Sequence, residues 1–172
     1  MPLLPEPEPP ARDSASRYRD PEWESPPWGE IPKIAAVDLL EASSRTAAVR
    51  VTAVRVNSSG CQFDVRALAK DNAWRLRDEA PRFGIVWPDA TVVLPDAGLP
   101  AATDQPEGPC LVDRGDSYWL WPLPPPGKLT LLLDWPAMGI QETTTEIDTR
   151  ILSEARAEVV HLWDDDSSPA SS

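Results

Sequence analysis

Hydrophobic and polar residues alternate with a period of two along several short stretches of this chain, which is the pattern of β-strands that bury one face. The clearest two stretches are residues 47–56 and 61–69, and the turn-forming residues 57–60 connect them. The valines of the first stretch change phase between Ala53 and Val54, and a β-bulge accounts for such a shift. The sequence therefore predicts a bulged β-hairpin from these two strands.

A second pair of apolar runs lies between Ser117 and Trp135, and a proline-rich stretch separates the two runs. Pro126 and Gly127 suit the central positions of a type II turn, because proline fixes its own φ and glycine accepts the positive φ that follows. We therefore predict a hairpin here as well. Its returning strand places four large apolar side chains on one face, as the strongest core candidates: Leu129, Leu131, Leu133 and Trp135.

The length of this predicted turn decides which way Trp119 and Trp121 face, because side chains alternate across a strand. A four-residue turn, Pro124 to Gly127, places both tryptophans opposite the leucines, where they form an aromatic patch. A five-residue turn places them in the core with the leucines. An outward patch must be covered by the N-terminal segment or the late helix, or else it is offered to a partner.

The remaining strands are shorter. Phe83 to Trp87 and Thr91 to Leu94 predict another hairpin, and Cys110 to Asp113 predicts a strand that ends in a turn. Glu142 to Asp148 has the β-branched content of a strand, and its acidic residues indicate a sheet edge. The stretch from Pro95 to Pro106 is predicted to be a surface loop.

One helix is predicted after Asp148, whose side chain can cap the first turn. An apolar stripe at helical spacing follows it: Ile151, Leu152, Ala155 and Val159. Leu162 and Trp163 extend that stripe or form an extended tail on the sheet. Eight or nine short strands with one C-terminal helix predict an all-β fold, an antiparallel β-sandwich, with a closed barrel as the alternative.

The ends of the chain differ from its middle. Residues 1–29 hold eight prolines among Glu, Ser and Arg, and such a composition predicts a disordered or extended tail. Trp23 and Trp28 stand out within it, because a large aromatic side chain either docks back onto the domain or waits for a partner. We assign residues 30–163 to the β-sandwich domain and 164–172 to a disordered acidic tail.

Charge and apolar run length exclude several classes of partner. The formal net charge is −12, which disfavours a broad basic surface for the phosphate backbone of nucleic acid. No stretch approaches the run of about 18 apolar residues that a membrane-spanning helix needs. Cys61 and Cys110 are far apart in sequence and lack a second pair at metal-ligand spacing. The chain is therefore expected to be cytoplasmic, with partners other than nucleic acid or membrane.

The sequence carries no recognisable catalytic, cofactor or metal signature. His161 is the single histidine, and no nucleophile elbow or phosphate-binding glycine loop is present. Neither Cys61 nor Cys110 is expected to reach the imidazole of His161, so a cysteine nucleophile is disfavoured. The aspartate run 164–166 lacks the spacing of a calcium loop. We predict no catalytic residue, no cofactor and no metal.

Two segments carry a distinctive pattern: Trp-Leu-Trp-Pro-Leu-Pro-Pro-Pro-Gly at 119–127 and Asp-Trp-Pro-Ala-Met-Gly-Ile-Gln-Glu-Thr at 134–143. This pattern resembles a motif shared by a family of uncharacterised actinobacterial proteins. The likeness also touches residues 49–65 and covers about two thirds of the chain. Only Asp-Arg-Gly-Asp stands at 113–116, where the family has a longer glycine-rich loop. The resemblance implies a soluble, bacterial, cytoplasmic protein and transfers no functional residues.

The function that these observations favour is a protein-interaction or scaffolding module with an unknown protein partner. A hydrolase of unrecognised type is the alternative, and it requires a pocket that gathers polar groups with perturbed pKa values. The candidate partner-binding residues are the exposed or tail-borne aromatics: Trp119, Trp121, Trp23 and Trp28.

Overall fold

The computed structural model describes residues 20–37, 40–70, 80–96 and 105–162. The strands of these ranges are β1 (Glu30–Ile31), β2 (Lys33–Ile34), β3 (Glu41–Ser43), β4 (Ala47–Val56), β5 (Cys61–Ala69), β6 (Arg82–Val86), β7 (Val92–Val93), β8 (Pro95–Asp96), β9 (Cys110–Asp113), β10 (Ser117–Trp121), β11 (Lys128–Trp135), β12 (Ile140–Asp148) and β13 (Val160–His161). One helix, α1 (Thr149–Ala157), follows β12. The predicted acidic tail, most of the predicted surface loop and Trp163 lie outside the described residues.

The strands form two main sheets and a small ribbon. The first sheet has the order β2-β4-β5-β10-β9-β8, and β3 also pairs with β4. The second has the order β12-β11-β6-β7, and β1 pairs with β13 in a separate two-stranded ribbon. Only β8 and β9 run parallel among these pairs. The predicted all-β antiparallel fold with one C-terminal helix is confirmed, and five of its strands have only two residues.

Aromatic side chains join the two sheets in the core. The ring of Phe83 on β6 stacks on Tyr118 of β10 at a centroid distance of 4.7 Å. The same ring packs against Phe63 of β5 at 5.6 Å. The predicted apolar row of β11 is buried between the sheets, as expected from its alternation: Leu129, Leu131, Leu133 and Trp135. This packing of two sheets face to face is that of a β-sandwich.

The predicted hairpin over residues 47–69 is confirmed. β4 and β5 pair antiparallel, and Val56 lies opposite Cys61 across the turn. The register shifts between Val51 and Ala53, which leaves Thr52 as the extra residue. The bulge therefore lies one or two residues before the predicted position, and it restores the apolar side chains to the core face.

The predicted hairpin over residues 117–135 is wrong. β10 pairs with β5 and β9, whereas β11 pairs with β6 and β12, so the two strands belong to different sheets. The connection from Pro122 to Gly127 contains four prolines, which have no amide hydrogen to donate to a ladder between the strands. The Trp121–Pro122 peptide bond is cis. Because its flanking strands lie in different sheets, the proline-rich stretch is a corner between sheets.

Thr149, the first residue of α1, fixes this corner in place. Its hydroxyl accepts from the Gly127 amide at 2.7 Å and donates to the Pro125 carbonyl at 2.9 Å. Its own amide donates to the Gly127 carbonyl at 3.0 Å. Because Thr149 is fully buried, these bonds satisfy polar groups that water does not reach. The helix start thus holds the corner that the sequence assigned to a turn.

The helix begins where it was predicted to begin. The carboxylate of Asp148 accepts from the Arg150 amide at 3.0 Å, as an N-cap does. Hydrogen bonds from the Arg150 side chain and amide lower the pKa of Asp148 to about 2. Leu152 and Ala155 bury their side chains in the core. β12 lies at the edge of its sheet, as its acidic residues indicated.

The shorter predicted strands are also found. β6 and β7 pair antiparallel with Ile85 opposite Val93. β9 and β10 form a hairpin around residues 114–116. After α1 the chain is extended, and β13 pairs with β1 rather than continuing the helix. Within the described ranges, no helix has the length and apolar character that a membrane span needs.

Candidate functional site

The outer face of β10 carries two tryptophans. Tyr118 and Leu120 point into the core, so alternation places Trp119 and Trp121 on the opposite face. Trp119 is nevertheless 0% exposed. Its ring lies over Gly60, where an added Cβ would stand 2.7 Å from the ring. The turn between β4 and β5 therefore needs glycine at this position so that the indole can approach the backbone.

Residues 20–29, which we call the N-terminal strap, cover this face. The Trp119 indole Nε1 donates to the Glu22 carbonyl at 2.9 Å. The Cys110 thiol donates to the Trp23 carbonyl at 3.6 Å, and an Arg114 guanidinium nitrogen donates to the Glu24 carbonyl at 3.0 Å. Three consecutive backbone carbonyls of the strap are thus bound by side chains of the β9–β10 hairpin.

An aromatic contact accompanies these hydrogen bonds. The rings of Trp23 and Trp121 meet edge to face, with centroids 6.2 Å apart and planes at 66°. This geometry places the positive edge of one ring near the negative face of the other. The Trp23 Nε1 is buried, and no hydrogen-bond acceptor for it lies among the residues that the structure describes. The strap therefore binds through its carbonyls and a ring, not through the indole N–H.

The strap has a defined backbone course. The Pro21 carbonyl accepts from the amides of Glu24 and Ser25 at 2.9 and 3.3 Å, which forms a tight turn before the prolines at 26 and 27. The Gly29 carbonyl accepts from the Leu162 amide at 2.9 Å. Residues 1–19 of the predicted tail lie outside the described residues. The part of that tail nearest the domain docks back through Trp23.

Glu30 anchors the C-terminal end of the strap to the turn between β4 and β5. Its side chain accepts from the Ser58 amide at 2.9 Å, from the Ser58 hydroxyl and from the Asn57 amide nitrogen at 3.2 Å. His161 Nδ1 lies 3.5 Å from the same carboxylate. Burial opposes ionisation of Glu30, but the hydrogen bonds from Ser58 and Asn57 and the proximity of His161 outweigh it and lower its pKa.

This cluster does not have the arrangement of a nucleophile with its base. Ser58 and His161 both contact the Glu30 carboxylate, so the acid lies between the hydroxyl and the imidazole. Nucleophilic catalysis requires direct hydrogen bonding between the hydroxyl and its base. The cluster is built to hold β1 and β13 against the turn.

Cys61 and Cys110 lie in different surroundings. Cys61 is fully buried, and burial raises the pKa of its thiol far above the usual range. A buried thiol of this kind is inert, because the thiolate is the reactive form. Cys110 lies in the strap site as a donor to the Trp23 carbonyl.

A polar cavity of about 340 Å³ opens on the outer face of β4 and β5 near the bulge. Asp64 lies in its wall, accepts from Gln62 at 3.0 Å and pairs with Arg55 at 2.7 Å. These contacts neutralise the carboxylate and hold it in place. The lining contains no histidine or cysteine, and the Thr52 hydroxyl donates to the Asp64 backbone carbonyl at 3.2 Å and not to a carboxylate that could activate it.

The structure gathers three of the four predicted site residues. Trp119, Trp121 and Trp23 form one cluster, whereas Trp28 is 63% exposed at the far end of the strap. The sequence reasoning missed Arg114. Pairing the predicted strand 110–113 antiparallel with the strand that follows its turn would have placed Arg114 beside the tryptophans.

Comparison with known proteins adds no match. No family model fits the chain, and neither the search of curated proteins nor the search of solved structures found a similar protein. The resemblance to the actinobacterial family therefore stays a prediction. The described residues contain no group of His, Cys, Asp and Glu side chains that could hold a metal ion.

Proposed function

We propose that this protein is a protein-interaction module whose recognition surface is the outer face of the β9–β10 hairpin. The observation that carries the proposal is the binding of three consecutive backbone carbonyls of the strap by Trp119, Cys110 and Arg114. The bound carbonyls lie on the turn that the Pro21 carbonyl closes, and side chains that bind ligand carbonyls beside an aromatic ring are typical of aromatic-lined peptide grooves.

The residue types of the site are also those that are typical of recognition surfaces. Tryptophan and arginine are the residue types that dominate binding energy in protein interfaces, and the hairpin presents both within one short stretch. The Trp121 ring is only partly buried, so it is accessible to a different segment once the strap leaves. The outer face lies away from the core, which lets the sandwich keep its fold while the cover is exchanged.

The hydrolase alternative has no comparable support. The polar cavity near Asp64 pairs its carboxylate with Arg55, and the Glu30 cluster lacks a contact between nucleophile and base. The cytoplasmic location is likewise part of the proposal, and the small number of cysteines, two in the chain, supports it, since small secreted domains are often rich in disulfides.

Affinity capture from the native cell with full-length variants tests this function. Trp23→Ala loosens the strap, and Trp23→Ala combined with Trp121→Ala also removes the aromatic contact on the sheet. We expect a protein that the first variant enriches several-fold over wild type and that the double variant loses. Capture that is the same for all three chains would overturn the proposal.

A further inference from the structure

We propose that the partner of this surface is a proline-flanked, acidic peptide segment with a central aromatic residue, and that the N-terminal strap is its intramolecular counterpart. The inference rests on the proposed function and adds the chemical class of the ligand. Three properties of the site lead to it: the donors on the sheet, the aromatic contact and the charge of Arg114.

The hydrogen-bonding groups of the site mostly donate. An indole Nε1 and a guanidinium have no acceptor atoms, and a thiol is at best a weak acceptor. A ligand that turned backbone N–H groups toward these donors would leave them unpaired, which weakens binding where the donor is buried. Proline removes N–H groups and keeps the carbonyl, so a proline-rich segment suits this surface. The strap carries Pro21, Pro26 and Pro27 around its bound carbonyls.

The aromatic contact defines the central position of the ligand. Trp23 meets Trp121 through its ring, and its buried Nε1 finds no acceptor among the described residues. A phenylalanine keeps the edge-to-face contact and has no N–H to leave unpaired. The site therefore selects an aromatic ring at this position, and it accepts phenylalanine at least as well as tryptophan.

Charge favours acidic residues beside that ring. Glu22 and Glu24 flank Trp23 in the strap, and Arg114 donates to the carbonyl of the second. A guanidinium so close to the ligand backbone attracts carboxylates on neighbouring side chains, although solvent and salt weaken the attraction. An acidic ligand is thus preferred over a basic one.

The strap competes with any such ligand. It continues directly into β1 at Glu30, and a tether that short gives an effective concentration on the order of millimolar. A free peptide must overcome this concentration to bind wild-type protein. Weakening the strap therefore raises the apparent affinity for a peptide added in solution, with no change in the surface itself.

Fluorescence polarisation of a labelled peptide with the sequence of residues 20–29 tests the ligand class. With full-length protein, we expect Trp23→Ala to bind the peptide about 10-fold more tightly than wild type, because its own strap competes less. Adding Trp121→Ala should abolish the gain. Adding Leu68→Ala should leave the gain in affinity unchanged. Leu68 is 69% exposed on the same outer face, but it lies six residues along β5 from Gln62, the residue that pairs with Trp119.

Variants of the peptide test the aromatic and proline positions of the ligand. Replacing its first tryptophan by phenylalanine should keep binding within about twofold, and replacing it by serine should reduce binding at least 10-fold. Replacing its three prolines by alanine should also weaken binding. Equal binding of all these peptides would overturn the proposed ligand class.

A second variant keeps the proposal testable if Trp23→Ala does not fold. Glu30→Gln loosens the strap from its other end, and it should raise peptide affinity in the same direction. Absence of peptide binding by both folded variants would overturn the ligand class. If the folded variants did not bind the peptide but still captured a cellular protein in a Trp121-dependent way, the interaction function would stand without this ligand. If they neither bound the peptide nor captured a protein, both proposals would be refuted.

Discussion

The two faces of β10 are both covered, but by very different structures. On the inner face, Tyr118 and Leu120 pack into a core that a whole second sheet closes. On the outer face, Trp119 is just as inaccessible, yet its cover includes the strap, a segment of ten residues, together with the turn at Gly60. Burial alone therefore does not distinguish a core position from a position beneath a removable cover.

The difference lies in how each cover is attached. The inner cover is continuous with the hydrogen-bonded ladders of β6, β11 and β12. The outer cover is attached through side-chain bonds to carbonyls, one ring contact and the Glu30 anchor. Segments held by few contacts open at low free energy, whereas core strands open only with global unfolding. The outer face is thus where the molecule can change partners without unfolding.

The largest effect is expected on the inner face. Leu120→Ala should lower the free energy of unfolding by about 3 kcal/mol, because it removes a fully buried side chain and leaves a cavity between two sheets. Urea denaturation measures this change. The exposed Leu68→Ala serves as the control and should shift stability by less than about 0.5 kcal/mol. A loss below 1 kcal/mol for Leu120→Ala would contradict the contrast between the faces.

Gly60→Ala should affect both faces at once. Its Cβ would meet the Leu120 carbonyl and lie 2.7 Å from the Trp119 ring, so either the turn or the indole must shift. Such overpacking typically costs about 1–3 kcal/mol. Thermal unfolding measures the loss, and Gly108→Ala, which has open space around it, is the matched control. Unchanged stability would show that the turn does not constrain Trp119.

Trp23→Ala should affect the outer face alone. The edge-to-face contact with Trp121 contributes about 1 kcal/mol beyond the area that the ring buries, so strap docking should weaken by about that much or more, while the loss of global stability stays below that of Leu120→Ala. Acrylamide quenching of tryptophan fluorescence should rise, because Trp119 gains access to solvent. Quenching that stays at the wild-type level would mean that the strap remains bound without its ring contact.

Acid should release the strap before it unfolds the sandwich. The pKa of Glu30 is lowered on folding from an ordinary value of 4.5, so its carboxylate stabilises the folded state above that pH. The contribution is lost as pH falls through the lower folded value. We expect quenching to increase below about pH 4, and Glu30→Gln to abolish this pH dependence. If Glu30→Gln showed the same rise in quenching at low pH as wild type, the transition would be due to other carboxylates.

Local patterns predicted the parts of the fold that depend on neighbouring residues. The phase change of the valines in β4, the turn at residues 57–60 and the Asp148 cap each encode their structure within a few positions. The corner at Pro122–Gly127 was not predictable in the same way, because a proline-glycine stretch serves a hairpin or a crossing between sheets equally well. Which of the two forms is decided by distant pairing with β5, β6 and β12.

The candidate site was predictable only in its aromatic residues. Trp119 and Trp121 stood out because a surface strand rarely carries them without a cover, and the N-terminal segment was one of the covers expected. The bonds that hold the strap involve carbonyls of Glu22, Trp23 and Glu24. Every residue has a carbonyl, so no sequence pattern marks which of them a distant side chain will bind.

The ribbon of β1 and β13 gives the molecule a mechanical property. Its strands are antiparallel, and the chain enters β1 and leaves β13 at the same end, where the Leu162 amide contacts the Gly29 carbonyl. Tension between these two points would load the ribbon hydrogen bonds one after another, as in the opening of a zipper, and not all together. A pulling force would therefore separate the two strands of this ribbon at low load while the sheets of the sandwich stayed intact.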